Sequence, residues 1–238
     1  IEKLIKQHKP KVIFHLAGQV AMSTSLKNPD LDFQGNVLST INLLESIRKF
    51  SKKTVLIFSS TNKVYGDAPN SLNLVEQNTR WDYADKNFYK GIQESFTIDQ
   101  SKHSIFGASK VAADVMVQEY GRYFSMPTAC LRGGCLTGPN HTGVELHGFL
   151  SYLVKSCIKY KSYKIIGYQG KQVRDNIHSY DLVKCFWEIF KRPKYAAIYN
   201  IGGGRYSNCS IIEAIKLIEK ITQSKININY EKKARLGD

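Results

Sequence analysis

The amino-acid sequence predicts an α/β protein built on a doubly wound parallel sheet, with a smaller C-terminal domain. Two observations carry this. Short β-rich runs alternate with helical patterns along the whole chain, the signature of a parallel sheet with helices on both faces. Small and polar residues then follow directly on several of the strands, at the carboxyl ends where such sheets hold their ligands. A third observation sets a boundary: no apolar run approaches the ~18 residues needed to cross a bilayer, and no signal peptide is visible.

The elements follow in order. Ile1, Leu4 and Ile5 open an amphipathic helical pattern. The chain starts inside that pattern and not at Met, so an upstream segment is expected to be missing or removed. Pro10 bounds the buried strand KVIFHLA (11–17). From 31 to 50, Phe33, Val37, Ile41, Leu44 and Ile47 recur at steps of three and four, which predicts one long helix. TVLIFSS (54–60) is the next central strand. Residues 67–102 form a long, polar, aromatic-rich connection, and loops of that length in compact domains are usually functional. A helix over 104–124, strands at 128–132 and 197–203, a helix over 211–222 and a short strand near 226–230 complete the chain. It stops at Gly237-Asp238 without a closing element, so a C-terminal piece is expected to be missing as well.

Composition narrows the class. Apolar residues make up 42% and charged residues 23%, ordinary values for a globular protein. The formal net charge is +14, but the lysines are scattered and not blocked, which argues against nucleic acid as the main partner. The five cysteines include no CxxC pair and no metal-ligand spacing. No metal is expected, and an odd number of thiols fits a reduced, cytoplasmic setting.

Four strand ends carry unusual polar residues: Ala17-Gly18-Gln19, then Ser59-Ser60-Thr61-Asn62-Lys63-Val64-Tyr65-Gly66, then Arg132-Gly133-Gly134-Cys135, and the turn Gly170 to His178 containing Arg174 and Asp175. For Tyr65 and Gly66 the plain reading is packing and turn formation; for His178 it is a structural histidine. Asn200 and Gly202–Gly204 read as a tight turn.

Together with Asn36 to Glu45 (N-V-x-x-T-x-N-L-L-E), Gly91 to Glu94 (G-x-x-E), Gly107 to Lys110 (GxSK) and the NIGGG strand end, these residues resemble the NAD-dependent epimerase/dehydratase family of the extended short-chain dehydrogenase/reductase (SDR) type. The resemblance runs the whole length in order, and TNKVYGD and GKQVRD look most like its CDP-tyvelose (CDP-paratose) 2-epimerase branch. It implies a Rossmann-like domain over 1–138 lacking its first βαβ units. Residues 139–238 would then be mainly substrate-binding, with about 172–203 returning to the Rossmann domain. The implied function is a nucleotide-sugar epimerase using NAD, with NADP not excluded, on a nucleotide-diphosphate sugar, as a homodimer or homotetramer. The glycine-rich turn for the pyrophosphate, and the residue that chooses between the two cofactors, should precede Ile1.

The resemblance also assigns roles. Ala17, Gly18, Gln19, Asn36, Ser59, Ser60, Lys110, Arg132 and Gly133 would bind the cofactor; Asn62, Lys63, Cys135 and Arg174 would bind the substrate. The family's catalytic unit is a tyrosine, a lysine four residues later and a Ser/Thr, with the ammonium lowering a phenol whose free pKa is ~10. Thr61 and Lys110 fit this unit, but the tyrosine position is Phe106, and a phenyl ring carries no proton. Three readings stand: the phenylalanine is engineered; it is natural and His103, Lys102, Tyr89 or Cys135 moves the proton; or the protein binds dinucleotide and nucleotide sugar, or RNA, without turnover. A second departure is at Asn62 and Lys63, where the related 4,6-dehydratases carry the Asp and Glu of elimination, so dehydration is not expected. Arg174 matches the arginine that clamps the diphosphate, a guanidinium fork suiting two phosphates, with a surface ion pair to Asp175 as the other reading. Cys135 is equally a small buried thiol, and Trp81, Tyr83, Phe88 and Tyr89 either line a sugar site or pin the long loop.

Overall fold

A computed structural model describes residues 1–20, 22–144 and 148–232; the expectation about the end at Gly237-Asp238 lies outside them. The chain opens with helix α1 (Glu2–His8), strand β1 (Val12–His15) and helices α2 (Met22–Lys27) and α3 (Pro29–Phe33). A π-helical turn (Gln34–Leu38) runs on into α4 (Ser39–Phe50), followed by β2 (Val55–Thr61) and a 3-10 turn (Asn62–Tyr65). Short strands β3 (Leu74–Glu76) and β4 (Trp81–Tyr83) precede α5 (Ile105–Phe124), β5 (Thr128–Gly133), β6 (Cys135–Thr137) and α6 (Phe149–Tyr160). Then come β7 (Ser162–Ile166), β8 (Val173–Arg174), β9 (Asn176–His178), α7 (Ser179–Lys191) and β10 (Ala197–Ile201). The described chain closes with β11 (Cys209–Ser210), α8 (Ile211–Thr222) and β12 (Asn227–Glu231).

These elements form two units. The first contains Ile1–Pro69, Gln93–Gly133 and Leu182–Ile201. Its sheet has the order β1-β2-β5-β10, every pair parallel. In β2 the run Val55-Leu56-Ile57-Phe58 is buried throughout, as a strand covered on both faces requires, and successive side chains point to opposite faces. Leu56 and Phe58 meet Leu43, Leu44 and Ile47 of α4 and Ala113 and Val117 of α5. Val55 and Ile57 meet Ala129 and Leu131 of β5 and Phe186 and Ile189 of α7. Fully burying each such side chain stabilises by about 1.5–3 kcal/mol, so these two clusters hold the sheet on which the strand ends are mounted. Helix α5 starts sharply because Ser104 Oγ accepts from Gly107 N at 3.0 Å, an N-cap worth ~1 kcal/mol. It ends at Ser125, whose φ of 51° is left-handed.

The expected helix over 31–50 starts two residues earlier and is interrupted at 34–38 by the π-turn, a form found mostly at functional sites. There Thr40 Oγ1 donates to Asn36 O at 2.7 Å and Ser39 Oγ to Gly35 O at 2.5 Å, so hydroxyls take carbonyls that an α-helical ladder would use.

The second unit contains Asn70–Ile92, Gly134–Asp181 and Gly202–Asp238. Its middle segment opens at Gly134, where β6 pairs with β9 of the same unit. Strands β12 and β7 are parallel, and β11 is antiparallel to β8. Leu153 and Cys157 of α6 pack with Ile165, Ile226 and Ile211, Ala214, Ile215 and Ile218 of α8. The long connection is more ordered than its composition suggests. It holds the antiparallel hairpin β3-β4, and Arg80 between those strands donates Nε to Glu213 Oε1 at 2.8 Å and Nη2 to Oε2 at 2.5 Å. Glu213 also closes a capping box with Ser210 at the start of α8. Among the described residues no helix is long and apolar enough to cross a membrane.

Candidate active site

In the first unit, the carboxyl ends of β1, β2 and β5 bring most of the expected residues to one edge of the sheet. Beyond β1, Ala17 and Gly18 are exposed, and the peptide of Gln19 is gripped at both ends by Asn36. Gln19 N donates to Asn36 Oδ1 at 2.9 Å, and Asn36 Nδ2 donates to Gln19 O at 3.0 Å and to Ser109 Oγ at 2.9 Å. A Cβ on Gly18 would lie 2.7 Å from Asn36 Oδ1, so the approach of loop to amide admits only glycine without movement. Beneath the loop, the fully buried Asp32 accepts from Gln19 Nε2 at 2.8 Å, Ser25 Oγ at 2.7 Å and Ser109 Oγ at 2.5 Å. Asn36 is therefore not free to face a cofactor: it is 2% exposed and shapes the Ala17–Gln19 loop instead.

His15, the last residue of β1, sits under the same loop. Thr40 Oγ1 gives its proton to Asn36 O, so His15 Nε2, 2.9 Å away, must be the protonated nitrogen that donates to it. Burial, with the Lys110 charge adding to it, pushes the His15 pKa down to about 4, so the ring is neutral at pH 7.

At the end of β2, Lys110 lies buried one helical turn beyond Phe106 on α5. Its ammonium stands 4.1 Å from the centroid of the Phe58 ring and donates to Ser59 O at 2.7 Å. Among the described residues Ser59 O is its single hydrogen-bond acceptor, although an ammonium has three N–H groups to place. Burial pushes its pKa down to about 8, against the pull of Asp114, Cys130 and Asp32. Thr61, half-buried, is the N-cap of the 3-10 turn: its Oγ1 accepts from Lys63 N at 3.2 Å and donates to Asn62 Oδ1 at 3.3 Å. The register sets Thr61 beside Gly133 and Ser60 beside Arg132. Phe106 is 7% exposed.

Arg132 departs from its expected role. Its guanidinium donates to Asp114 through Nε (3.2 Å) and Nη2 (2.8 Å), and through Nη1 to Tyr65 Oη (3.0 Å) and Glu94 O (3.2 Å). The hydrogen bonds engage all three nitrogens and the residue is 3% exposed, so it braces the strand ends. Ser60 is likewise turned inward, donating to Asp114 Oδ2 at 2.5 Å. His103, one of the alternative proton carriers, has Nδ1 3.0 Å from Ser101 O and Nε2 2.7 Å from Val64 O. Both ring nitrogens thus face backbone carbonyls, and the ring clamps the turn ending at Gly66.

In the second unit, Cys135 N donates to Asp175 O at 2.7 Å, and Cys135 lies in register with Asn176. Arg174 is half-buried and paired with Cys209 across β8 and β11. The carboxylate of Asp175 accepts from Gly203 N and Gly204 N, both at 2.9 Å, which accounts for the glycine turn. His178 Nδ1 accepts from Tyr180 N at 3.1 Å, a structural role at the start of α7. The aromatic loop is pinned within its unit. Arg205 makes a two-pronged pair with Asp82 (2.6 and 2.7 Å) and stacks 4.2 Å from the Tyr89 ring, and Tyr83 packs on Phe88 at 5.7 Å. Asp32, Ser109 and Asp114 are the residues that sequence reasoning missed. Their signal was a carboxylate or hydroxyl on the apolar face of a helix.

An all-parallel sheet of this order, covered by helices and with small and polar residues at its strand ends, defines a Rossmann-like α/β fold. Solved structures bear out the fold. The chain superposes on UDP-N-acetylglucosamine 4-epimerase of Methanobrevibacter ruminantium with a TM-score of 0.81, at 21% identity, over 100% of this chain and 67% of that one. Against UDP-glucose 4-epimerase of Thermus thermophilus in complex with NAD the TM-score is 0.77, at 22% identity, over 100% and 70%. The chain belongs to the NAD dependent epimerase/dehydratase family, whose model matches residues 1–202. Among curated relatives, CDP-paratose 2-epimerase of Salmonella typhi is 35% identical over 92% of this chain and 65% of its own length. UDP-glucose 4-epimerase of Mycoplasma genitalium is 25% identical over 98% and 67%. The chain thus spans about two thirds of the length of the curated relatives it matches.

Proposed function

We propose that the protein is an NAD-dependent nucleotide-sugar epimerase, with a CDP-sugar as substrate and inversion at C2. The substrate follows the relative with 35% identity and the TNKVYGD and GKQVRD turns. The observation that carries the reading is Lys110: a buried ammonium with one acceptor, next to an open glycine-containing loop, leaves N–H groups to donate to the hydroxyls of a nicotinamide ribose. Bound NAD would accept a hydride from a sugar carbon and return it to the opposite face. The chain's own residues do the rest. Ala17 and Gly18 let the cofactor approach the backbone, Thr61 Oγ1 hydrogen-bonds the sugar oxygen, and Lys110 places positive charge where that oxygen loses its proton. Arg174 is proposed to hold the diphosphate, with Asn62, Lys63 and Cys135 contacting the sugar nucleotide. Neither Asn62 nor Lys63 is the carboxylate that elimination needs, which favours epimerisation over the dehydration performed by other relatives.

Phe106 has no atom that moves a proton, so turnover is slow until that step is supplied. NADP is the alternative cofactor. A reduced cytoplasmic setting and a homodimer or homotetramer are the proposed compartment and assembly. Mass spectrometry of the denatured protein should release NAD; a folded sample that releases no dinucleotide and binds none defeats the proposal.

A further inference from the structure

We propose that Asp114 is a positioning residue of this site, holding through Ser60 the strand end that carries Thr61 while standing one helical turn behind Lys110. The inference rests on the roles given above to Lys110 and Thr61.

Asp114 is fully buried. Its Oδ1 accepts from Arg132 Nη2 at 2.8 Å and Gln118 Nε2 at 2.7 Å, and its Oδ2 from Ser60 Oγ at 2.5 Å and Arg132 Nε at 3.2 Å. A buried ion pair of this kind is no better for stability than apolar residues of the same volume, so the fold alone does not call for it. Its placement does something apolar residues cannot. Residues four apart lie on one face of a helix, and this face of α5 grips two consecutive residues of β2: Lys110 takes the carbonyl of Ser59 and Asp114 takes the hydroxyl of Ser60. Side chains alternate along a strand, so fixing Ser60 inward fixes Thr61 toward the other face. The grip is extended by Arg132, which donates to Tyr65 Oη, and by Tyr65, which donates to Asn200 Oδ1 at 2.7 Å. The ends of β2, β5 and β10 are thereby tied to one carboxylate. That carboxylate is also the foremost of the negative groups that keep the buried Lys110 protonated.

The test needs neither substrate nor cofactor, so its outcome is separate from that of the epimerase assignment. Lysines labelled at Cε are titrated by NMR in the full chain, with Lys110 assigned by the signal lost in Lys110→Arg. Asp114→Asn keeps the shape and removes the charge, and the Lys110 midpoint should fall by roughly half a pH unit or more. Ser60→Ala keeps the ion pair and removes one hydroxyl; the Lys110 midpoint should hold, while amide hydrogen exchange at Thr61 rises about tenfold. An unmoved Lys110 midpoint in folded Asp114→Asn, or unchanged Thr61 exchange in Ser60→Ala, overturns the proposal. If Asp114→Asn does not fold, Ser60→Ala decides alone.

Discussion

Replacing Lys110 with methionine should make the protein more stable while removing its proposed cofactor contact. Burial pushes the folded pKa of Lys110 down to about 8, against 10.5 for a lysine in water. The fold therefore disfavours the protonated form, and at pH 7 the difference corresponds to about 3 kcal/mol of destabilisation. The sign follows from proton counts. Between pH 8 and 10.5 the unfolded chain binds the proton and the folded chain does not, so stability rises with pH through that window. Methionine fills a similar volume without charge, and gives up the hydrogen bond to Ser59 O, roughly 1–2 kcal/mol for a charged donor. The expected net gain is about 1–2 kcal/mol at pH 7. Urea unfolding of the wild type and Lys110→Met at pH 7 and pH 9.5 measures it. The advantage of the variant should shrink by about 2 kcal/mol at the higher pH, as the wild-type lysine sheds its proton. A variant less stable than the wild type at pH 7, or a difference independent of pH, would refute the claim that burial dominates at this lysine.

Three further outcomes are expected. His15, with its folded pKa at about 4 against 6.5, binds its proton in the unfolded state first, so its contribution is present above pH 6.5 and lost as pH falls toward 4. Denaturant melts should show about 2 kcal/mol less stability at pH 5 than at pH 7 from this group, a loss absent in His15→Leu; equal losses in both proteins reject it. Phe106→Tyr should raise epimerase turnover by about two orders of magnitude or more, the usual worth of acid/base catalysis, and an NMR assay of sugar inversion showing no gain counts against the site. Arg174→Ala should weaken nucleoside diphosphate binding by roughly 2–3 kcal/mol, and unchanged affinity in calorimetry removes Arg174 from the diphosphate site.

Much of the architecture was legible because apolar periodicity is strong where burial is strong. Val55–Phe58 reads as a central strand and is one, and the helix at 211–222 has the observed bounds. Helices α2, α6 and α7 carried no expectation. For α7 the signal was present, since Leu182, Cys185, Phe186, Ile189 and Phe190 recur at steps of three and four; α2 is too short to show a period. The strand-end motifs located the site, but not which of their side chains turn inward. Arg132, Ser60 and Asn36 look like ligands in one dimension. Only their partners show them to be braces, and those partners, Asp114 and Ser109, lie on a helix whose pattern reports burial and nothing of hydrogen bonding.

The division of the chain bears on how the protein is made. The chain leaves its first unit after Pro69, returns at Gln93, leaves again after Gly133 and comes back for Leu182–Ile201. The last stretch supplies β10, which covers the edge of β5. A nascent chain emerging from the ribosome therefore carries an unsatisfied β5 edge through the synthesis of some sixty further residues, from Gly134 to Ala197. An exposed edge of that kind recruits other strands and aggregates. A shielding factor at the exit tunnel, or a slowed stretch of translation, would matter most in that interval, and fragments ending at a unit boundary before Ile201 would be poor choices for expression.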